Sequence, residues 1–428
     1  MSIPLDRLYH YIESIAQEIR GDRVIIYRFY PHGSKNVKNL NHLYTYKFVE
    51  DMISPHIYCN DQEPLNFQLY QDVQGRPGTP HSLSEIIFQN SADLPNYNLR
   101  GNIVNIYDNA ILLHSERRSP EVEWYQNLNF TTVYYWSHAI IARDWFRYAE
   151  HITQNKNIKK RFLIYNRAWS GTREYRLAFA DHLIQLEITG SCLMNCSPVD
   201  STLDKHYSLH HFANPAWHPT NIIENYFPIG TANSHCSADF DIKDYESTEI
   251  EIVLETLFDD SRLHLTEKIL RPIAVGQPFI LAGTHGSLEY LRSYGFKTFS
   301  ECWDESYDLE VNPEKRLVKI TELMMEINHW NESHYKKAIL QAQSIANYNK
   351  QYFFSSKFQK LIEGELGNNL TQALAELENT NTGLAWVEQN KKLFRNPALE
   401  SVLYTSTNLQ KSWLDQIDFV VKKYNKTK

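Results

Sequence analysis

Cysteine, glycine and proline are all scarce in this chain, at 5, 15 and 16 of 428 residues. The odd set of cysteines, at positions 59, 192, 196, 236 and 302, excludes a disulfide-dense secreted scaffold and agrees with a reducing compartment. Little glycine and proline, beside 42% hydrophobic and 22% charged residues, excludes fibrous and disordered classes. No stretch reaches the roughly 18 consecutive apolar residues of a membrane span. The opening residues mix charge into what would have to be an apolar signal core, so no membrane span and a cytoplasmic location are expected. Positive charge is not in excess either. Forty-three Lys and Arg against 51 Asp and Glu leave a net charge of −8, which excludes a global electrostatic grip on nucleic acid and leaves room only for a local basic cleft. Cys192 and Cys196 lack a second Cys or His pair at zinc-finger spacing, so they read as buried thiols and no metal site is expected. Aromatic residues are plentiful at 13%, and the 27 Tyr and 9 Trp have polar edges that suit sugars and bases as well as ordinary cores.

Residues 5–19 carry apolar positions near helical spacing and stop at Gly21-Asp22. A repeating theme follows, in which a short apolar strand runs into a polar loop. Residues 57–59 lead to Asn60-Asp61-Gln62-Glu63-Pro64, and residues 110–113 lead to a loop over 114–119, where Ser119-Pro120 opens a helix. Residues 153–160, Thr-Gln-Asn-Lys-Asn-Ile-Lys-Lys, are polar and unpatterned and read as a linker. After them the theme restarts with a strand over 162–165, a helix from about Glu174, strands over 250–255 and 278–282, and a helix from near Leu265 between these two. From about Asn331 the pattern is helical, ending in an amphipathic helix over 409–424. Alternating strands and helices predict an α/β protein with parallel, doubly wound sheets. The expected organisation is a Rossmann-like domain over 1–155, a second over 156–330 and a helical segment over 331–428.

The most informative stretch is 255–286. Thr266 is placed to cap a helix that begins Glu267-Lys268, and helix starts of this kind favour an anion such as a diphosphate. Lys268 adds a mobile positive charge, and Glu255, at a strand end, could accept hydrogen bonds from ribose hydroxyls. The same residues also read as a plain helix cap followed by a solvated Glu-Lys pair. The order Glu255, then Thr266-Glu267-Lys268, then Gly276-Gln277-Pro278-Phe279-Ile280 resembles the donor-binding region of nucleotide-sugar glycosyltransferases with two Rossmann-like domains, the GT-B architecture. The resemblance is to phage-encoded glycosyltransferases and, in the donor motif, to α1,3-fucosyltransferases. It is specific over roughly 250–310, and Thr256 stands where an Asn usually follows the Glu.

The resemblance implies a soluble glycosyltransferase that uses a nucleotide sugar, UDP- or GDP-linked, as co-substrate and no bound cofactor, with its closing helices packed back on both domains. It gives Arg167, Arg173 and Arg176, around the first strand-to-helix loop of the second domain, a role as guanidiniums that neutralise a leaving diphosphate without a metal. In the first domain, Asp61, Glu63 and Glu116 are carboxylates suited to take a proton from an acceptor hydroxyl, and His114 is the rival base. The expected acceptor is a glycan. The alternative is a phage-type transfer to hydroxylated cytosine in DNA, gripped through Arg117-Arg118 and the Lys35/Lys38 loop. A non-catalytic nucleotide- or carbohydrate-binding protein on the same fold is the remaining reading.

Overall fold

The computed structural model describes residues 26–29, 56–60, 66–67, 81–82, 110–119, 131–201, 203–221 and 240–378. The predicted helices over 5–19 and 409–424, the helix opened at Ser119-Pro120, and the loops carrying Lys35, Lys38, Asp61 and Glu63 lie outside these residues. The described chain is mixed α/β, and its residues divide into two compact units.

One unit contains a four-stranded parallel sheet of β1 (Ile26–Phe29), β2 (His56–Asn60), β3 (Ala110–His114) and β4 (Thr131–Tyr134), adjacent in chain order. Pairing runs Ile26 to His56, His56 to Ala110 and Ile111 to Thr131. The other unit comprises Arg117–Ser119 and the described residues of His138–Ile362. It begins with α1 (Ser137–Trp145), whose first residue still belongs to the first unit. Its sheet is built from β5 (Lys160–Ile164), β6 (Cys192–Met194), β7 (Thr248–Leu254) and β8 (Phe279–Ala282), in the order β8-β7-β5-β6 and parallel throughout. Parallel neighbours need crossovers, and the two main ones are α2 (Tyr175–Gln185) between β5 and β6, and α4 (Glu267–Val275) between β7 and β8. A short α3 (Ile242–Glu246) precedes β7.

The central strand β7 is buried almost throughout, as a parallel strand covered on both faces should be. Its one fully buried charge is answered locally. Glu251 receives Arg271 Nη2 at 2.5 Å and the Tyr245 hydroxyl at 2.5 Å, so α4 and α3 are both pinned to the strand. Helix α4 ends at Gly276, whose left-handed backbone (φ 83°) closes the last turn, and a Cβ there would lie 3.1 Å from the Lys350 side chain.

After α5 (Ser287–Ser293), the helices α6 (Pro313–His329), α7 (Glu332–Phe354) and α8 (Ser356–Glu378) complete the described chain. Fully buried Asn349 of α7 accepts from Lys297 N at 2.9 Å and donates to Lys297 O at 2.8 Å, which fixes that helix on its unit. Helix α8 is shared. Its residues up to Ile362 belong to the unit of β5–β8, while Asn369 in the other unit donates to Tyr134 O at 2.8 Å. The chain therefore changes unit on either side of Arg117–Ser119, between Ser137 and His138 and between Ile362 and Glu363, whereas the sequence pattern placed the divisions at 155 and 330. The stretch 153–160 is bound in place: Gln154 Nε2 donates to Val275 O at 2.9 Å, and Lys156 Nζ to Tyr245 O at 2.9 Å and Thr248 O at 2.8 Å. Its polar side chains satisfy carbonyls of the next elements, which is why it lacks the apolar pattern of an element without being a free linker.

Candidate anion-binding site at the carboxyl edge of the second sheet

In the order β8-β7-β5-β6 the chain steps from β5 to β6 on one side and then to β7 on the other. The reversal makes a switch point at the carboxyl ends of β5 and β7, the kind of place where open α/β sheets take ligands. Two loops meet it, 165–174 after β5 and 255–266 after β7, on strands that pair directly at Ile250 and Phe162.

The first loop is shaped by a buried carboxylate. Asp200 Oδ2 accepts from Trp169 N at 2.7 Å and Ser170 N at 2.8 Å, and Oδ1 accepts from Leu203 N at 2.9 Å. Trp169 Nε1 adds a bond to Ser197 O at 3.1 Å. Held this way, the loop delivers Arg173 half-buried just before α2, with Nε on Ser170 O at 3.0 Å and, among the described residues, no hydrogen bond from its two terminal nitrogens. Burial, with the positive charges of Arg176 and Arg167 nearby, lowers its pKa to about 10, and Asp200 only partly offsets them. Positive charge is thus concentrated at this loop beyond what its own carboxylates balance.

The neighbouring arginines differ in role. Arg176 is 3% exposed, and donates to Ala168 O at 2.7 Å, Leu254 O at 2.7 Å and Glu255 O at 3.0 Å, so it ties the ends of β5 and β7 together. That corrects its reading as a ligand for a diphosphate. Arg316, which the sequence did not single out, does the same for β7 and β8: it is 2% exposed, and reaches Gly283 O at 3.1 Å, Glu310 O at 2.6 Å and Phe258 O. Both cations are bonded to carbonyls rather than carboxylates, which adds positive charge beneath the switch point. Arg167 is exposed, with its carbonyl bonded to Ser201 Oγ at 2.8 Å.

The Thr-Glu-Lys helix start folds as its sequence predicts, with Thr266 as the cap of α4. The anion at this helix start, however, is the protein's own. Glu255 is fully buried, and its Oε1 accepts from Thr266 N at 3.0 Å and Ile269 N at 3.3 Å, while Oε2 accepts from Thr266 Oγ1 at 2.6 Å and Thr256 N at 3.2 Å. A carboxylate offers about four acceptor positions. All four are filled from the chain, so neither a ribose hydroxyl on Glu255 nor a diphosphate on these amides fits this arrangement.

Lys268 is also engaged. Its ammonium lies 2.8 Å from Glu267 Oε1, 3.1 Å from Thr256 Oγ1 and 3.3 Å from Thr266 Oγ1, which uses its three donors, and its side chain is 14% exposed. Glu267 is buried rather than solvated. Burial opposes its charge, and the Lys268 ammonium and His138 more than offset that, holding the carboxyl well below the usual range. His138, on α1, was not foreseen. Its Nε2 stands 3.2 Å from Glu267 Oε2, and its ring meets His264 edge-on at 4.9 Å between centroids. A partner 129 positions away leaves no signal in the local pattern.

Among the expected bases, Asp61 and Glu63 are outside the described residues, and His114 ends β3 with its side chain outside them. Glu116 is 1% exposed, which closes it to an acceptor hydroxyl and corrects its reading as a base. The two arginines assigned to DNA are used within their own unit. Arg117 pairs with Leu263 through both backbone groups at 2.9 and 2.7 Å and lays its guanidinium over Tyr290, and Arg118 donates to His285 O at 2.6 Å. Cys192 and Cys196 are buried thiols pushed up to about 12 by burial. One Asp-x-Asp triplet, the pattern that holds a divalent ion in one-sheet glycosyltransferases, does occur at Asp239-Phe240-Asp241. Asp239 is outside the described residues, and Asp241 caps α3 by accepting from Lys243 N at 2.9 Å. Among the described residues no group of three or more His, Cys, Asp or Glu is arranged for a metal, and no helix is long and apolar enough to cross a membrane.

No family model, curated protein or solved structure matches the chain.

Proposed function

We propose that the protein is a glycosyltransferase of the two-domain GT-B type, which takes a sugar from a UDP- or GDP-linked donor and moves it to a hydroxyl of a glycan. The observation that supports this reading most is Arg173. Its guanidinium, whose terminal nitrogens have no hydrogen-bond partner among the described residues, stands among like charges, in the loop after β5, at the switch point of a parallel sheet. Developing negative charge on a leaving diphosphate is what such a fixed cation stabilises. Lys268, in the first turn of α4 after the adjoining strand, is the second cation, and it reaches a phosphate by exchanging one of its threonine hydroxyls. Glu255 and Arg176 hold the two loops in register and do not touch the donor. In an inverting transfer, Asp61 or Glu63 takes the proton of the acceptor hydroxyl.

Calorimetric titration with UDP, GDP and their sugars tests the reading. The wild-type protein binds one of them and Arg173→Ala does not, while a ligand at about 100 times its dissociation constant stabilises the wild type by about 2.7 kcal/mol. Binding of equal strength in Arg173→Ala, or none in the wild type, removes the proposed donor site.

A further inference from the structure

Residues Arg117–Ser119 belong to the unit of β5–β8, although Glu116 immediately before them belongs to the other. Arg117 and Leu263 exchange both backbone hydrogen bonds, at 2.9 and 2.7 Å, as an isolated antiparallel bridge, so the segment is fastened to the 255–266 loop that meets the switch point. Arg118 reaches instead to the loop after β8. From a left-handed backbone (φ 57°), uncommon for a residue with a side chain, its Nη2 donates to His285 O at 2.6 Å and its Nη1 lies 2.8 Å from His285 Nε2. A guanidinium has five donors and no acceptor. The Nη1 contact is therefore a hydrogen bond only when Nε2 carries a lone pair, with the half-buried ring neutral and its proton on Nδ1.

We infer that Arg118 and His285 form a proton-sensitive latch, which keeps Arg117–Ser119 and the bridged 255–266 loop in place while His285 is neutral and lets them loosen when it is protonated; the consequence for donor binding rests on the function proposed above. A protonated ring turns an N–H toward an N–H and sets two positive charges side by side. Burial, then Arg118 and Arg316, already hold this imidazole below its ordinary titration. Arg118 also faces Asp308 and Glu289, but no hydrogen bond joins it to either carboxylate among the described residues, so the imidazole contact is the one that a proton turns from attraction into repulsion. The latched ring takes up a proton less readily than a free imidazole. The latch is thus at full strength above about pH 6.5 and is lost as pH falls through the depressed titration of His285, by about tenfold for each unit of that depression.

Amide hydrogen exchange in the ligand-free full-length protein reads the latch at the bridge itself. Protection of the Arg117 and Leu263 amides, corrected for the intrinsic pH dependence of exchange, is compared at about pH 7.5 and about pH 5 in wild type, His285→Gln and Arg118→Ala, with folding monitored by circular dichroism. Gln offers a carbonyl oxygen to Arg118 and does not titrate. Protection falls about threefold to tenfold with acid in wild type, changes by less than about twofold in His285→Gln, and is low at both pH values in Arg118→Ala. The His285 titration, followed by NMR at Cε1, has its midpoint below that of an ordinary imidazole and moves up in Arg118→Ala. Protection that ignores pH in the wild type overturns the inference, as does an unmoved His285 titration in Arg118→Ala. An equal fall in His285→Gln also overturns it and assigns the response to other groups such as His138 and His264, which meet edge-on beside Leu263. Binding of UDP and GDP at the same two pH values weakens with acid more steeply in wild type than in His285→Gln. If exchange behaves as stated and neither nucleotide binds the wild type, the latch stands and the donor reading is the part that fails.

Discussion

Replacing Glu255 by Ala separates a structural carboxylate from a ligand-binding one. The side chain is fully buried and receives four hydrogen bonds, from Thr266 N, Ile269 N, Thr256 N and Thr266 Oγ1. Bonds to a charged acceptor each contribute about 1.5–3 kcal/mol net. Taking only the two on Thr266, at 3.0 and 2.6 Å, gives about 3–6 kcal/mol, and the longer bonds at 3.2 and 3.3 Å overlap with them rather than adding in full. A loss of about 4 kcal/mol in a unit of this size corresponds to a fall in melting temperature of about 8–16 °C. Glu255→Gln keeps the volume and two acceptor positions but turns an amide toward two of the donors, so it falls between Ala and wild type. Differential scanning calorimetry and urea titration measure both variants. The result that refutes the reasoning is an Ala variant melting within about 2 °C of wild type with its nucleotide binding gone, because that is the signature of a ribose ligand and not of a helix cap.

Arg176→Ala leaves four carbonyl and amide acceptors at the ends of β5 and β7 without their cation, and urea denaturation records a loss of about 3–5 kcal/mol, whereas Arg173→Ala, which gives up one hydrogen bond, stays within about 1.5 kcal/mol of wild type. Asp308 is 3% exposed and accepts from Leu288 N at 3.0 Å, and burial raises its carboxyl to about 6. The folded state then binds more protons than the unfolded state between roughly pH 4 and pH 6, so this group's contribution to stability is greatest below pH 4 and declines as pH rises to about 6. Asp308→Asn removes that slope, and the difference between the two stability curves across the window reaches at most about 3 kcal/mol. Plain and hydroxymethylcytosine-containing duplexes show no binding by anisotropy at about 0.15 M salt, since the net charge is −8 and the exposed Arg117 and Arg118 are already engaged with Tyr290 and His285. Tight binding with a logarithmic salt slope near −0.9 per phosphate contact would restore the DNA acceptor.

What could be read from the sequence and what could not follows from the range of the interactions involved. The strands over Thr248–Leu254 and Phe279–Ala282 are apolar runs bounded by polar turns, a pattern local enough to recognise, and the cap at Thr266 is fixed by its own next two residues. Cys192–Met194 escaped notice because three residues carry no periodicity, and they form a strand only through pairing with Phe162–Ile164. The harder failure concerns identity of partner. The sequence marked the start of α4 for a diphosphate and could not say that Glu255 occupies it, since this depends on β7 ending level with the helix start eleven residues later. Arg173 and Arg176 stand three positions apart in the same loop-to-helix turn, yet one is bonded to a single carbonyl and the other to three across two strands. Which guanidinium is spent on the fold is decided by the depth of each position in the sheet. A cluster of like charges at a switch point therefore points to a ligand only through the member that the backbone leaves over, and here that member is Arg173.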